Sequence, residues 1–356
     1  MSKKSEHDHH KLGQEMELFL QSELVGSGLP LFTPRGTSMI NEMMQLMREV
    51  SLADGYQEVR TGHITRDELY SKSGHLAKFR DNLFQIEADK GEDQLALKPM
   101  NCPHHMLIFA SKLRSYRDLP LRFAEYTTLH RNEVSGALGG LTRVRALTQD
   151  DAHAFLRLDQ IEDEVARILL QIERVMKIYG LSYRVVLSVR DPKEKYLGEG
   201  KVWDEAEQTL EHLCRKHGLK YERAEGEAAF YGPKLDFMAT DSLGREWQLS
   251  TIQLDFVQPA RLGLHYIDEQ GMKQPPAVIH RAVNGTFERM LGMLIEHYGG
   301  DFPLWLAPEQ VRVLTVNDDE SVQAWANNFL EELLASDLRA TLDSSSESVG
   351  RKIREA

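Results

Sequence analysis

The sequence has few features of a membrane protein or a secreted protein. Its 356 residues include only two cysteines, Cys102 and Cys214, which excludes a disulfide framework and favours a reducing cytosol. No apolar run approaches the roughly 20 residues that a membrane helix needs, and the polar start from Met1 to His10 is unlike a secretory signal. Its histidines at 7, 9 and 10 are more typical of a solvated terminus than of a metal site. A net charge of −12 argues against a generally basic nucleic-acid binder and still permits a local basic face.

Common nucleotide-binding and hydrolase signatures are missing as well. The sequence contains no Walker loop, no G-x-G-x-x-G, no HExxH and no G-x-S-x-G. Instead, it has arginine and other polar residues inside segments that are typical of strands. Because strand residues alternate between faces, the segment 143–155 would present one polar set on a single side: Arg143, Arg145, Gln149, Asp151 and His153. This side is either a solvated sheet face or the floor of a cleft for an anionic ligand, since arginine binds phosphates bidentately.

The order of the predicted elements indicates an α+β fold. Strands come in runs without regular βαβ alternation, which favours an antiparallel sheet with helices packed around it. Apolar residues at helical spacing predict helices at 11–20, 37–54, 161–179, 202–213 and 286–298, with Thr37 as the N-cap of the second. Strands are predicted at 56–64, 121–133, 143–155, 183–189, 235–239, 247–256 and 277–281.

A break between Asp301 and Pro308 separates two domains. We expect a lead-in at 1–36 and one large domain at 37–303. Residues 304–356 then open an α/β domain with a strand, a helix and a strand, at 311–316, 322–334 and 339–342. About 50 residues rarely complete such a domain, so we expect that the chain is truncated or that this domain is incomplete.

Several single residues are candidates for chemistry, each with a simpler alternative. Arg131 and Glu133 share one face of a predicted strand and form either a surface ion pair or a site for phosphate and magnesium. Arg289 follows Gly285 at a helix start, where it either points back to a ligand or lies on the surface. Cys102 is a lone cysteine, which is more often a core residue than a metal ligand.

Seven motifs follow one another in order along the chain. They are Lys98-Pro99-Met100-Asn101-Cys102-Pro103, Ser115-Tyr116-Arg117-Asp118-Leu119-Pro120-Leu121-Arg122, His130-Arg131-Asn132-Glu133, Thr148-Gln149-Asp150-Asp151-Ala152-His153, Phe230-Tyr231-Gly232-Pro233-Lys234, Gln253-Leu254-Asp255-Phe256 and Ile279-His280-Arg281-Ala282. Together they resemble the threonyl-tRNA synthetase family of class II aminoacyl-tRNA synthetases, from about His10 to the end of the chain. The resemblance implies a class II antiparallel sheet, a homodimer and a C-terminal anticodon-binding domain that begins near Leu306. The family's editing domain has no counterpart here, so editing of mischarged serine by this chain is not expected.

The resemblance also implies one catalytic zinc ion per subunit, bound by Cys102, His153 and His280. Three protein ligands leave an open position, which the amino and hydroxyl groups of threonine are expected to fill. Valine has the same shape but no hydroxyl, so we expect its rejection by roughly 10⁴ or more. Serine lacks only a methyl group and would be rejected only about 10–200-fold.

Further roles follow from the same resemblance. The amino acid is expected to contact Gln149, Asp151, Tyr231 and Met100. ATP and its Mg²⁺ are expected to contact Arg131, Glu133, Arg143, Gln248, Thr251 and Arg289. Arg131 would bridge the threonine carboxylate and the α-phosphate, while Arg143 and Arg289 would bind the γ-phosphate. Positive groups aimed at the phosphates would be the main catalytic device, and His75 resembles a histidine implicated in transfer to tRNA.

Four positions depart from the family pattern. Gly62 stands where motif 1 usually ends on proline, and His104 stands where glycine usually follows Cys-Pro, so it is a candidate competing ligand. Leu147 replaces the aromatic residue that stacks on adenine, which predicts weaker ATP binding. Leu249-Ser250 replaces the usual Cys-Gly or similar pair near the substrate.

These observations favour a threonine-tRNA ligase of the cytoplasm that uses threonine, ATP and threonine tRNA. One alternative is a synthetase-like regulatory or binding protein that has lost charging, which the departures at Gly62, His104 and Leu147 would explain. Another is a related enzyme that charges a different amino acid, or a carrier instead of tRNA. The retained zinc-type positions and motif arginines argue for the ligase.

Overall fold

The computed structural model describes residues 8–87, 94–191, 193, 196–241 and 244–356. Within these residues, eight strands form the main sheet: β1 (Gln57–Glu58), β2 (Leu121–His130), β3 (Ala146–Leu156), β4 (Arg184–Val189), β5 (Tyr221–Glu225), β6 (Lys234–Thr240), β7 (Glu246–Asp255) and β8 (Ala277–Ala282). Their order across the sheet is β5-β4-β6-β7-β8-β3-β2-β1. The pairs β4-β5 and β1-β2 are parallel and the other pairs are antiparallel, which confirms the predicted antiparallel α+β sheet.

The numbered helices are α1 (His9–Glu15), α2 (Pro34–Ala53), α3 (Cys102–Ala110), α4 (Ile161–Ile178), α5 (Gly200–Lys216), α6 (Phe287–Tyr298), α7 (Glu320–Ala335) and α8 (Val349–Glu355). The apolar stripes of α2, α4, α5 and α6 form one core with the sheet, in which Met43, Ile168, Leu210 and Leu294 are fully buried. Burial of this kind contributes about 1.5–3 kcal/mol for each large apolar side chain. None of the helices in the described ranges is long and apolar enough to cross a membrane.

Shorter elements surround the sheet. The short strands are Phe19–Leu20, Leu31–Phe32, Ile64–Arg66, Gln85–Ile86, Leu95–Leu97, Arg114–Ser115, Tyr266–Ile267 and Lys273–Gln274. The short helical segments are Asp67–Ser73, His75–Phe79, Arg80–Asn82, Tyr116–Asp118, Ser135–Ala137, Leu158–Gln160 and Val257–Arg261. At the C-terminal end, β9 (Val311–Leu314) and β10 (Ala340–Asp343) pair in parallel around α7, as the predicted strand-helix-strand order requires.

Several predicted boundaries were wrong. The helix predicted at 11–20 is observed at His9–Glu15, and Phe19–Leu20 is a short strand. The strand predicted at 121–133 ends at His130, because its partner strand begins opposite it at Ala146. Arg131 and Glu133 therefore follow the strand and do not share a strand face. The N-cap of α2 is Thr33, whose side chain accepts the Gly36 N–H, because Pro34 suits the first helical position. The predicted strand at 56–64 is divided between β1 and a separate three-stranded sheet that contains Ile64–Arg66. The predicted strand at 143–155 begins only at Ala146, so Arg143 at the end of a turn and Arg145 after it both precede the strand, and their predicted alternation does not apply.

Candidate active site

A cleft of about 620 Å³ lies over strands β3, β6, β7 and β8. Every predicted site residue except His75 lines it: Met100, Cys102, Arg131, Glu133, Arg143, Gln149, Asp151, His153, Tyr231, Gln248, Thr251, His280 and Arg289. Along β3, the alternation holds for Gln149, Asp151 and His153, while Ala154 packs into the core. The polar sheet face is therefore the floor of a cleft.

One end of the cleft contains the predicted metal ligands. His153 on β3 pairs directly with His280 on β8, and Cys102 begins helix α3 beside them. Nε2 of His153 and Nδ1 of His280 are 3.0 Å apart, and the ligand atoms of all three residues lie within 4.8 Å of one another. Strand pairing thus brings together residues that are far apart in the sequence.

Both histidines make a hydrogen bond through the ring nitrogen that faces away from the cluster. Nε2 of His280 lies 2.8 Å from Oδ2 of the buried Asp255. Nδ1 of His153 lies 2.8 Å from Nδ1 of His105, whose Nε2 lies 3.1 Å from Oε2 of Glu125. Such outer partners fix the orientation and tautomer of metal-binding imidazoles.

The donor set and its protonation fit a zinc ion. Burial lowers the pKa of His153 well below its ordinary value, which keeps a lone pair available for a metal. Burial raises the pKa of the Cys102 thiol well above its ordinary value, so a cation would have to displace the thiol proton. One thiolate and two imidazoles can hold Zn²⁺ and leave a fourth position for a substrate, as in catalytic zinc sites.

Two other histidines lie in segments that the sequence associates with this end of the cleft. In the described ranges, the ring nitrogens of His104 do not converge with Cys102, His153 and His280, so the geometry does not support His104 as a competing ligand. His75 is fully buried behind the cluster, with Nε2 3.3 Å from Sγ of Cys102 and Nδ1 2.8 Å from Oγ of Ser73. In this arrangement His75 contacts a predicted ligand and does not reach the cleft.

Asp8, His9 and His10 form the second group of converging ligand atoms in the described ranges, and His7 lies outside those ranges. The expectation of a solvated terminus was wrong for His9, which is 1% exposed and packs against α6.

The other end of the cleft is positively charged. Arg289 donates to the carbonyl oxygens of Thr142 and Gln248, both at 2.8 Å. Burial, together with Arg131 and Arg143, lowers the pKa of Arg289 to about 10, which still leaves it charged near neutral pH. Arginine side chains held in this way can bind phosphate or carboxylate groups.

The other two arginines have different surroundings. Arg131 donates from Nε to the Pro99 carbonyl oxygen at 3.3 Å. Arg143 has a half-exposed side chain that donates from Nη2 to Oε2 of Glu133 at 2.8 Å. Arg145, which the strand pattern placed on the same face, instead donates to the Glu133 carbonyl oxygen and is not a lining residue of the cleft.

Between the two ends lie the residues predicted to contact the amino acid. The Tyr231 ring stacks on the His280 ring, with centroids 4.5 Å apart, and its hydroxyl donates to Gln253. Asp151 has a carboxylate oxygen 3.9 Å from Nε2 of His153, and burial raises the pKa of Asp151. Leu249 lines the cleft, whereas Ser250 is buried and donates to the Val283 carbonyl oxygen.

Sequence reasoning missed the residues that support the site. Asp255 and Gln253 lie in one of the seven motifs, which by itself assigns them no role. Alternation along β7 places Gln253 on the same side as Thr251, in the cleft. His105 and Glu125 carried no sequence signal, because their role depends on contacts between α3, β2 and β3.

Comparisons with known proteins show which family the chain resembles. The model of the "tRNA synthetase class II core domain (G, H, P, S and T)" matches residues 84–298, and an "Anticodon binding domain" model matches 310–356. The threonine–tRNA ligase of Rubrobacter xylanophilus is 51% identical over 98% of this chain and 54% of its own length. That of Gloeobacter violaceus is 46% identical over 98% of this chain and 56% of its own length. The chain thus spans about half the length of these curated relatives.

Solved structures show the same likeness. A structure titled as the RNA binding domain of threonyl-tRNA synthetase from Cryptosporidium parvum superposes with a TM-score of 0.93 at 38% identity, over 98% of this chain and 86% of that one. A prolyl-tRNA synthetase from Giardia lamblia, with a TM-score of 0.76 at 18% identity over 98% of this chain and 67% of that one, shares the fold. The chain therefore belongs to the threonyl-tRNA synthetase family of class II synthetases.

Proposed function

We propose that this chain is a threonine–tRNA ligase. It would activate L-threonine with ATP to form threonyl-adenylate and pyrophosphate, and then pass the threonyl group to the 3′ end of threonine tRNA. The observation that carries the proposal is one cleft with a Cys102, His153 and His280 cluster at one end and three arginines at the other. A metal site can select a hydroxylated amine, and an arginine group can bind a triphosphate.

The metal-binding end would select the amino acid. Cys102, His153 and His280 would hold one Zn²⁺ per subunit, which would supply a Lewis-acidic position for the amino and hydroxyl groups of threonine. Asp151, beside His153, would accept a hydrogen bond from the substrate hydroxyl. Gln149 and Tyr231 would contact the amino end, and Met100 would contact the side chain.

The arginine end would bind ATP with its Mg²⁺. Arg131 would hold the threonine carboxylate and the α-phosphate in contact, and Arg289 would bind the γ-phosphate. The carbonyl contacts of Arg289 already fix its orientation, so little rearrangement is needed as charge develops on the phosphates. Arg143 would leave Glu133 to bind the γ-phosphate, which frees the Glu133 carboxylate for Mg²⁺.

The remaining contacts follow the cleft walls. Gln248 and Thr251 line the part that would hold the nucleotide, and Leu147 packs with Leu129 and Val144 as an apolar wall for adenine. His75 would act in the transfer step only if it moves out of its buried position beside Cys102. Both cysteines are free, which fits the cytoplasmic location that we propose.

The domain and partner assignments are part of the same proposal. Residues 37–303 would form the catalytic domain after a lead-in at 1–36, and 304–356 would be part of an anticodon-binding domain. The functional unit would be a homodimer.

Pyrophosphate exchange with threonine, valine and serine tests this function. We expect exchange with threonine, weaker exchange with serine and almost none with valine. Cys102→Ala should lose bound zinc, measured by elemental analysis, together with threonine-dependent exchange. Cys214→Ala, which removes the other buried free cysteine, is the matched control and should behave like wild type. No exchange with any amino acid would contradict the enzyme and favour a regulatory paralogue.

A further inference from the structure

The buried His9 belongs to none of the roles described above. It begins helix α1, is 1% exposed and lies against α6 and the turn at 139–143. Its Nδ1 lies 2.6 Å from Oε1 of Glu296, and the Leu141 N–H donates to its Nε2 at 3.1 Å. An imidazole therefore links the first helix, the sixth helix and a turn of the cleft.

The backbone donor fixes the tautomer of this imidazole. The Leu141 N–H can only donate, so Nε2 of His9 must accept and the ring proton lies on Nδ1, where it is donated to Glu296. Both ring nitrogens are thus engaged, and neither has a lone pair left for a metal. The group of Asp8, His9 and His10 is consequently a structural cluster, although its ligand atoms converge.

Gly140 provides the space that the turn needs for this contact. A Cβ on Gly140, which has φ +54°, would lie 2.3 Å from Nε2 of His9 and 2.4 Å from Nε2 of His10. A Cβ on Gly292 in α6 would lie 3.5 Å from Cδ2 of His9. The turn can approach the imidazole this closely because Gly140 lacks a side chain, whereas a Cβ at Gly292 would make only ordinary contact with the ring.

The turn that His9 contacts carries two groups of the arginine end. The Thr142 carbonyl oxygen, one residue after the Leu141 N–H, accepts from Nε of Arg289 at 2.8 Å. Arg143 follows directly and closes the turn, since its carbonyl oxygen accepts the Gly139 N–H at 3.1 Å. A displacement of Leu141 would therefore move the partner of one arginine and the backbone of the other.

We propose that His9 is a positioning residue for the triphosphate end of the ATP site. Its imidazole, oriented by Glu296, holds the turn at 139–143 so that Arg143 and Arg289 meet the γ-phosphate. This inference rests on the proposed function and assigns the first helix a part in it. The zinc end of the cleft is held by the sheet and does not depend on this contact.

Three variants of the 356-residue chain test the proposal. The leucine of His9→Leu fills the space but cannot accept the Leu141 N–H. The side-chain amide oxygen of His9→Gln can accept it. Lys11→Ala is the control, because Lys11 lies on the exposed face of the same helix. In pyrophosphate exchange, we expect His9→Leu to raise the KM for ATP roughly tenfold and to leave the KM for threonine within about twofold. His9→Gln should recover most of the loss, and Lys11→Ala should match wild type.

A second measurement does not depend on activity. Hydrogen exchange of peptides that span 139–143 should be faster in His9→Leu than in wild type and near normal in His9→Gln, because the Leu141 amide loses its acceptor. If His9→Leu does not fold, His9→Asn replaces it, since its shorter amide reaches Glu296 but not Leu141. An equal rise in both KM values, unchanged KM values, or a Gln variant as impaired as Leu would overturn the proposal. If the wild-type protein shows no pyrophosphate exchange while the variants show the expected hydrogen-exchange pattern, the ligase function is contradicted instead.

Discussion

The Asp255→Asn substitution tests the proposed metal site through a residue that would not touch the metal. Asp255 is fully buried, and its Oδ2 lies 2.8 Å from Nε2 of His280. Its Oδ1 accepts the N–H groups of Val257 at 2.8 Å and Gln258 at 2.9 Å. The carboxylate thereby joins the end of β7 to the imidazole.

An asparagine at this position would reverse the hydrogen bond to the imidazole. Its amide oxygen must stay with the two backbone N–H groups, because the opposite orientation would place donors against donors. The NH₂ group would then face Nε2 of His280 and require it to accept, which moves the ring proton to Nδ1. Nδ1 is the nitrogen that faces His153 across 3.0 Å, so the proton would occupy the lone pair needed for the metal.

The expected magnitude follows from the loss of an outer partner. Such losses typically reduce metal affinity by about 10–100-fold, or about 1.4–2.7 kcal/mol, and we expect the upper end here because the tautomer is reversed. Competition with a chromogenic chelator measures the zinc affinity, and thermal unfolding confirms that the variant is folded.

A closely matched control exists on the surface. Oδ1 of Asp268 also accepts two backbone N–H groups, and its Oδ2 accepts from a glutamine side chain with no histidine involved. Asp268→Asn should therefore leave zinc affinity unchanged. If Asp255→Asn binds zinc within about twofold of wild type, the carboxylate does not set the His280 tautomer and the reasoning fails.

Two predictions concern the helix that carries Arg289. In urea unfolding, Gly285→Ala should destabilise the fold more than Gly263→Ala. Both glycines have positive φ, so the backbone strain is shared. A Cβ on Gly285 would lie 2.3 Å from the Leu249 carbonyl oxygen, whereas a Cβ on Gly263 meets no atom within 4 Å. Equal losses would refute the close approach. Burial raises the pKa of Glu288 from 4.5 to about 7, so between these pH values the folded state holds a proton that the unfolded chain lacks. The protonated carboxyl stabilises the folded state fully below pH 4.5, and this contribution is lost as pH rises through 7. The stability of Glu288→Gln relative to wild type should therefore increase by about 2–3 kcal/mol from pH 5 to pH 8, and a pH-independent difference would contradict the shift.

The sheet and its helices could be predicted because their sequence patterns are local. The stripe from Ile161 to Tyr179 predicted α4 to within a residue of its observed end at Ile178. The start of a strand was predicted too early where polar residues precede it, as before Ala146. Arg143 and Arg145 fit a strand alternation by chance: Arg143 ends the turn that begins at Gly139, and Arg145 still precedes the strand.

The site was predictable in its main residues only through the family motifs. Spacing along the chain does not link Cys102, His153 and His280, because their proximity comes from the register of β3 against β8 and from the position of α3. The residues that support the site are still harder to predict from sequence. A histidine near the N-terminus, such as His9, has the sequence signature of a solvated tail, and only the packing of α1 against α6 reveals its burial.

The two ends of the cleft are held in place by different contacts, so substitutions at each end should impair a different function. His153 and His280 are adjacent on paired strands, so their spacing is fixed by the sheet ladder and by buried partners such as Asp255. The arginine end depends on a turn, whose position the ladder does not fix and which requires contacts from α1 and α6. Changes in the outer partners of the histidines should therefore alter zinc affinity and amino-acid selection, whereas changes around the turn should alter ATP binding. A variant around the turn that changed selection between threonine and valine, with normal ATP binding, would show that the two ends are coupled.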